Sequence, residues 1–287
     1  MRAAEDRLLL GCLRLAGAAA GSIVLLIVAY LLAEALPALQ ALGPLRWIRD
    51  ASWHPAGGAG AGRFNLSPML IGTAAAATGA VLLATPLSIA SALFCRFYAP
   101  RRLGGGYRRL VQLLAGLPSV VFGFWGLVVL TPLIGRWQPP GQSLLAGILI
   151  LTLMILPTIS LLAESALAAV PRAYGQAAAA MGLTRWATIR QVMLPAAITG
   201  LSSAILLGAA RAIGETMAVL MVTGNVVRTP ASLLDPVRTL TANIALELGY
   251  ALELHRSALF VSGLLLMGMV ALLVGISEAL RPEERHG

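Results

Sequence analysis

Two opposite charges, Arg211 and Glu215, lie inside an apolar run that extends from about residue 196 to residue 222. Thr216 follows them directly and adds a hydroxyl group. Residues four apart lie on one face of a helix, so a continuous helix would let the two charges pair. Placing such a residue at the centre of a membrane-spanning helix costs roughly 2.5–3.5 kcal/mol. Charges this costly in lipid indicate a structural or functional role.

Two roles fit this pattern. In the first, Arg211 and Glu215 form a structural salt bridge between packed helices, because mutual pairing offsets part of the membrane cost. In the second, Arg211, Glu215 and Thr216 line a polar translocation pathway. The guanidinium group suits oxyanions, since it is permanently charged and presents a planar fork of donors. A neighbouring carboxylate would lower the affinity of the guanidinium for the anion, which suits transport because transport requires release as well as binding.

Hydrophobic helices must hold these residues in place. The 287-residue chain is 58% hydrophobic and 11% charged, whereas soluble domains carry about 25% charged residues. The composition predicts an all-α, polytopic membrane protein with six transmembrane helices, at residues 15–33, 66–93, 110–133, 144–162, 196–222 and 258–276. Counted from Pro195 at about 1.5 Å per residue, Arg211 would lie roughly 24 Å along the fifth helix, between the middle and the outer half of the membrane.

The arginines predict the orientation. Thirteen arginines lie before the first apolar run, between the second and third runs, between the fourth and fifth runs, or after the sixth run. Seven arginines lie in the other connections. The richer side should be cytoplasmic, with both termini inside. The first run could instead be a cleaved signal peptide, but it exceeds the usual core of about 7–15 residues, so a retained helix is favoured. We expect a segment 1–65 with the first helix and an outer loop, a transmembrane domain 66–280 and a cytoplasmic tail 281–287.

Several classes of function are disfavoured. All 21 basic residues are arginine, and a P-loop needs lysine, so the glycine-rich stretch 57–63 is expected to be a flexible outer loop and the chain not to be a P-loop ATPase.

Cys12 and Cys95 form no Cys-x-x-Cys motif, and the three histidines are scattered and expected at solvated surface. The net charge of +9 comes from arginines mostly in short connections, where they fix orientation rather than bind nucleic acid. We expect no catalytic residue, cofactor or metal.

The connection over residues 170–195, which we call the coupling loop, differs in composition from its apolar neighbours. Pro171 suits the first turn of a helix, residues 173–181 are alanine-rich and favour a helix, and Gly182 supplies a break before a second short helix over 183–193. Residues 177–180 are all alanine and would leave a smooth ridge. This ridge could fit a groove in a partner protein, or the segment could rest on lipid headgroups as an amphipathic helix.

A motif in the coupling loop resembles the EAA loop of ABC importer permeases, EAA-x3-G-x9-I-x-LP. The matching spacing is carried by Gln176, Ala177, Ala178, Gly182, Val192, Leu194 and Pro195. Gln replaces the usual Glu at position 176 and Val replaces Ile at position 192. The glutamine retains hydrogen bonding without charge, so the resemblance implies docking of an ATPase by shape, over the stretch that begins at Arg172.

Four further stretches resemble the phosphate-specific permeases of the PstC type. They are GLPSVVFGFWGL at 116–127, RAIGETMAV at 211–219, Gly224-Asn225, and LLDPVRTLTANIA at 233–245. The resemblance covers about residues 66–276 and implies the type I ABC importer permease (MetI-like) fold with an extra N-terminal helix. It also implies that Arg211 and Glu215 take part in phosphate translocation, because the family uses an intramembrane Arg and Glu at these positions.

The resemblance implies a permease subunit that translocates inorganic phosphate across the bacterial cytoplasmic (inner) membrane. Its expected partners are a PstA-like second permease, a PstB-like dimeric ATP-binding subunit, a PstS-like external phosphate-binding protein and membrane lipid. ATP would be hydrolysed in the partner, so this chain would not be an enzyme. Alternatives are an ABC permease for another oxyanion such as molybdate or sulfate, a stand-alone ion-driven carrier, and an additional signalling role. The spacing of the EAA-like motif argues against the stand-alone carrier.

Overall fold

The computed structural model describes residues 2–55 and 62–279, and these residues are predominantly helical. The predicted tail 281–287 and most of the glycine-rich stretch 57–63 lie outside them. The helices are α1 (Arg2–Ala41), α2 (Arg46–Arg49), α3 (Ser67–Leu93), α4 (Arg101–Ala115), α5 (Ser119–Trp125), α6 (Thr131–Gly135), α7 (Leu144–Ala169), α8 (Arg172–Ala180), α9 (Arg185–Thr188), α10 (Leu194–Ala196), α11 (Ile198–Gly214), α12 (Met217–Val222), α13 (Leu240–Glu247) and α14 (Glu253–Ala279). Three π-helical turns, Phe94–Tyr98, Gly126–Leu130 and Ile189–Met193, extend α3, α5 and α9.

Four helices are long and apolar enough to cross a membrane. They are Leu9–Ala41, Ser67–Tyr98, Leu144–Ala169 and Glu253–Ala279. They cover the first, fourth and sixth predicted helices and all but residue 66 of the second, and each extends beyond the predicted range at one or both ends. Because sequence hydropathy marks only the apolar middle of a helix, polar residues that continue the same helix escape prediction.

The third and fifth predicted helices are interrupted by sharp bends or breaks. Arg102–Ala115 and Ser119–Gly135 meet at 90°, across a break that contains Gly116 and Pro118. Proline lacks an N–H and disfavours helix at the preceding residue, so a sharp turn forms here. Arg185–Ala196 and Ile198–Gly214 meet at 71°. The model thus has up to six spans if each bent pair counts as one.

The chain divides into two compact units, of which the smaller contains residues up to Asn65 together with Glu247–Leu265. In this unit Trp53–His54 (β1) pairs antiparallel with Arg63–Phe64 (β2). The buried Trp53 donates its indole N–H to Glu247 Oε2 at 2.7 Å, and His255 Nε2 lies 2.9 Å from the same oxygen. His255 is therefore largely buried, not solvated as the sequence suggested.

The larger unit comprises Leu66–Leu246 and the chain from Leu266 onward. Its core surrounds α7, whose buried Ile155 and Ile159 pack with α11 and with small residues of α3 such as Ala76 and Ala80. Small residues let membrane helices approach closely. At Gly208 of α11 a Cβ atom would lie 2.6 Å from Ile159 Cδ1, so a larger residue would require the Ile159 side chain to shift. The core thus fixes the position of α11, the helix that carries Arg211.

The segment between α12 and α13 folds back onto α7. Gly224 (φ +84°) and Asn225 (φ +54°) adopt left-handed conformations that turn the chain, which accounts for the Gly-Asn pair in the sequence. Further along, the Asp235 carboxylate accepts hydrogen bonds from the backbone N–H groups of Ala231 and Ser232 and lies 3.2 Å from Arg228 Nη2. These contacts lower the pKa of Asp235 below its ordinary value. The segment is thereby held in a defined shape that leads into α13.

Candidate functional site

Arg211 lies in the last turn of α11, where a cation interacts favourably with the negative end of the helix dipole. Its Nη1 donates a hydrogen bond of 2.9 Å to Thr158 Oγ1, on the neighbouring α7. Thr158 follows Pro157, the proline inside α7. The guanidinium is partly exposed, and its fixed partner is a neutral hydroxyl.

Glu215 lies at the break between α11 and α12. Helix α11 ends at Gly214, and Glu215 takes an extended backbone conformation (φ −69°, ψ 132°). Its Oε1 accepts a hydrogen bond of 3.1 Å from the backbone N–H of Ala218, in the first turn of α12. A side-chain acceptor of this kind satisfies one of the N–H groups that every helix start leaves unpaired. The glutamate therefore starts a new helix instead of continuing the old one.

Two threonines complete the break. Thr216 is partly exposed, and its hydroxyl donates to the Gly214 carbonyl at 3.3 Å. Thr241, in α13, donates to the Glu215 carbonyl at 2.7 Å. Irregular backbone is tolerated at membrane depth only where protein or a water-lined cavity satisfies the freed groups. The Thr241 hydroxyl hydrogen-bonds one of these freed groups, the Glu215 carbonyl.

The break corrects the expected pairing of Arg211 with Glu215. Among the described residues no ion pair joins them, because the chain leaves the helix before position 215 and the carboxylate turns to the Ala218 N–H. Of the five N–H donors of the Arg211 guanidinium, the structure pairs one, with Thr158. A partly exposed guanidinium with unused donors and a neutral partner has the chemistry to bind an oxyanion.

We expect Glu215→Ala to destabilise the break and Glu215→Gln to preserve it. Alanine removes the cap on the Ala218 N–H, a loss worth about 1 kcal/mol at helix starts, whereas the glutamine oxygen can still accept this hydrogen bond. Hydrogen exchange at the backbone amides of α12 measures the difference. Equal protection of these amides in the two variants would contradict a capping role for Glu215.

Helix α5 packs against α12 without room for side chains. A Cβ atom on Gly123 would lie 2.8 Å from Ala218 Cα, and one on Gly126 would lie 2.8 Å from Val222 Cγ1. The glycine-containing stretch at 116–127 therefore serves as a contact surface for α12. Through this contact, α5 fixes the helix that Glu215 caps.

The coupling loop forms two short helices joined at Gly182, as predicted. Gly182 has φ +69°, its N–H donates to the Ala179 carbonyl at 3.0 Å, and the N–H of Leu183 donates to the Ala178 carbonyl at 3.1 Å. This pair of bonds after a left-handed residue is the Schellman motif that ends helices. Thr184 then starts α9 by accepting from the Ala187 N–H at 3.3 Å.

The predicted docking residues differ in exposure. Arg172, Gln176 and Ala177 are exposed, and so is Gly182, next to which a Cβ atom would meet open space. Ala178, however, is only 2% exposed and faces the chain itself, so the expected ridge of four alanines is interrupted. The ridge prediction fails at this position because burial depends on contacts that local sequence does not reveal.

Leu194 and Pro195 form the start of α10, directly before the 71° bend into α11. Leu194 packs against the core, whereas Pro195 is exposed. From Ile198, the first residue of α11, Arg211 lies about 20 Å along the helix axis. The coupling loop and the Arg211 break therefore occupy opposite ends of one helix.

Sequence reasoning missed two partners of the site, Thr158 and Thr241. Both are ordinary threonines in apolar or mixed sequence, and their roles depend on contacts across 53 and 26 positions of the chain. The only local signal is the Pro157-Thr158 pair, which marks an irregular position in a buried helix. Within the described residues, no group of three His, Cys, Asp or Glu side chains could hold a metal ion.

Known proteins resemble the chain over most of its length. Residues 84–285 match the family of binding-protein-dependent transport system inner membrane components. A probable ABC transporter permease, YqgH of Bacillus subtilis, is 37% identical over 240 residues, covering 82% of this chain and 77% of its own. The phosphate transport system permease PstC of Mesorhizobium japonicum is 32% identical over 269 residues, covering 86% and 81%. PstC of Xylella fastidiosa (strain Temecula1) is 34% identical over 250 residues, covering 80% and 76%.

Solved structures share the fold at lower identity. The inward-facing MetNI methionine ABC transporter superposes with a TM-score of 0.62 at 20% identity, covering 75% of this chain and 94% of that chain. A bacterial ABC transporter for alginate import gives a TM-score of 0.58 at 13% identity, covering 75% and 80%. At these sequence identities, the similarity shows only that the chain shares the architecture of ABC importer permeases.

Proposed function

The chain belongs to the family of binding-protein-dependent transport system inner membrane components, and from this premise we propose that it carries inorganic phosphate across the bacterial cytoplasmic membrane. It is a membrane-embedded component of an ABC importer, with the MetI-like permease fold. Permeases of this family work with an ATP-binding subunit and a substrate-binding protein. The cargo and the roles of individual residues are the new elements of the proposal.

The assignment of an oxyanion as cargo rests on one observation, the state of Arg211 at the end of α11. The guanidinium is held by the neutral Thr158 hydroxyl, and the nearest acidic residue in sequence, Glu215, is engaged by the Ala218 N–H. The positive charge is therefore not neutralised by a carboxylate partner, and it can bind a dianion. Thr216 adds a hydroxyl at the same break. Relatives named phosphate permeases support phosphate over other oxyanions.

ATP hydrolysis is proposed to occur in a partner and not in this chain. A PstB-like dimeric subunit would dock on the coupling loop through its exposed residues, which include Arg172, Gln176, Ala177, Gly182 and Pro195. A PstA-like permease would form the other half of the pathway, and a PstS-like protein would deliver phosphate from outside. In this arrangement both termini and the coupling loop face the cytoplasm.

Reconstitution tests the proposal. The chain is assembled with the second permease and the ATP-binding subunit in liposomes, and labelled phosphate uptake is measured with and without ATP and the external binding protein. We expect uptake to require both, and excess sulfate or molybdate to leave it unchanged. Competition by either anion would assign a different oxyanion as cargo. Phosphate uptake by this chain alone would contradict the ABC mechanism.

A further inference from the structure

Helix α4 belongs to the most basic part of the chain. Residues 94–118 contain five arginines and no acidic residue. One edge of α4 is tied to the larger unit: Tyr107 donates to Ser91 Oγ at 2.9 Å, Arg108 Nε lies 3.5 Å from Glu164 Oε2, and Val111 is buried. These contacts hold the middle of the helix and fix which faces point outward.

The outward faces of α4 are apolar on one side and basic on the other. Leu103, Leu110 and Leu113 are 64%, 61% and 69% exposed, and at about 100° per residue they lie within one quarter of the helix circumference. Arg102 and Arg109 are exposed and border this leucine face. The described part of the chain offers neither of them an acidic partner. The helix is amphipathic, with two arginine charges left uncompensated.

The geometry of the break orients α4. Ser119–Gly135 lies at 90° to Arg102–Ala115. Ser119–Gly135 is about 25 Å long, which is most of the ~30 Å thickness of the hydrocarbon layer. A helix of this length can cross most of the bilayer, and in that orientation the perpendicular α4 lies along the membrane surface.

We propose that α4 is an interfacial helix that binds the headgroups of anionic phospholipids. The leucine face enters the acyl-chain region, and Arg102 and Arg109 donate to phosphodiester oxygens at the headgroup level. A second copy of the same helix is a poor alternative occupant, since it would bring further uncompensated arginines against these two. The inference goes beyond transport, and it requires only that the chain is embedded in a membrane.

The site has a structural connection to the Arg211 break. Across residues 116–118 the chain continues from α4 into α5, and α5 packs directly on α12 through Gly123 and Gly126. Along the packed edge of α4, Arg108 pairs with Glu164 of α7, the helix that also provides Thr158. Lipid bound along α4 thus supports two helices that contact or flank the break.

Lipid retention tests the charge part of the proposal. The purified full chain is incubated in mixed micelles of phosphatidylglycerol and phosphatidylcholine, and retained lipids are counted by native mass spectrometry. We expect a preference for phosphatidylglycerol that falls about fivefold for each arginine removed in Arg102→Gln/Arg109→Gln, the effect of one basic residue at an anionic surface. Arg102→Lys/Arg109→Lys should retain it.

The matched control is Arg49→Gln/Arg136→Gln, which removes the same charge from exposed positions outside the sequence of α4. We expect this control to keep the lipid preference. An unchanged preference in the α4 variant, or an equal loss in the control, would overturn the assignment.

Cysteine labelling tests the leucine face. In a Cys12→Ser/Cys95→Ser background, Leu113→Cys and the adjacent, polar-side Gln112→Cys are placed in vesicles of phosphatidylcholine and phosphatidylglycerol. We expect a membrane-impermeant maleimide to label position 112 at least about tenfold faster than position 113, because the leucine face is immersed in lipid. Equal labelling, or protection of position 113 only after the second permease is added, would contradict lipid binding and, in the latter case, identify a protein interface.

Discussion

Replacing Arg211 with glutamine is expected to lower phosphate uptake by about 100-fold, because each hydrogen bond to a charged group contributes about 1.5–3 kcal/mol. Glutamine can still donate to Thr158, so the contact between α11 and α7 has a substitute. What it lacks is the positive charge that a dianion requires in a partly desolvated site. Uptake into liposomes that contain the assembled transporter measures the effect, and size-exclusion chromatography of the complex measures assembly.

Two companion variants separate charge from position. Arg211→Lys keeps the charge but loses the planar fork of donors, and we expect an intermediate loss of uptake. Thr158→Val keeps the guanidinium but removes its acceptor, so the arginine should bind phosphate less well because its side chain is less fixed. Normal uptake by an assembled Arg211→Gln transporter would exclude a translocation role for this residue. Loss of assembly in that variant would favour the structural role considered from the sequence.

The break at Glu215 shows where sequence-based prediction stops. The stretch 211–222 is apolar apart from Arg211, Glu215 and Thr216, and nothing in it forces a helix to end, so a continuous helix is the natural expectation. The structure ends the helix because the Glu215 side chain caps the Ala218 N–H and Thr241 satisfies the Glu215 carbonyl. The second contact comes from 26 residues further along the chain. Local propensity cannot report it.

The structure of the coupling loop, in contrast to the break at Glu215, could be predicted from local sequence. Its two helices and their junction follow from residues close together in sequence: Pro171 before the first helix, Gly182 in the left-handed position, and Thr184 at the next helix start. Each acts within four residues, so the pattern alone predicts the structure. The burial of Ala178 was not predictable, since it depends on packing against the rest of the chain.

Pro118 lies inside the third predicted span, where a proline disfavours an uninterrupted helix. Apolar composition favoured one helix over residues 110–133, and the Gly-Leu-Pro sequence at 116–118 favoured a break. The structure follows the proline, with a 90° turn. Hydropathy indicates whether a residue can lie in the membrane, but it does not indicate which backbone conformation the residue adopts. It therefore predicts the number of apolar runs and not whether each run forms one unbroken helix.

In the coupling loop, which precedes α11, Ala177→Asp is expected to lower phosphate uptake about 30-fold while ATP hydrolysis continues. Ala177 is exposed, so aspartate has no direct effect on the fold of the chain. In a docked complex the new carboxylate would be buried without a partner, at a cost of about 2–5 kcal/mol. Gly182→Asp should act in the same direction, with added backbone strain because position 182 has φ +69°. Uptake and ATP hydrolysis are measured on the same proteoliposomes, and copurification of the ATP-binding subunit reports docking.

Ala177→Ser is the matched control, because it adds a small polar group at the same position without charge. If the coupling loop docks the ATP-binding subunit, the serine variant should transport at close to the normal rate, and the aspartate variant should hydrolyse ATP without transport or lose the subunit altogether. If the loop instead rests on lipid headgroups, the aspartate variant should keep both the subunit and normal coupling. Because the coupling loop that contains Ala177 leads into the start of α11 and Arg211 lies in the last turn of that helix, a loss of coupling with intact hydrolysis would mean that α11 connects the ATP-driven step to the site of the anion.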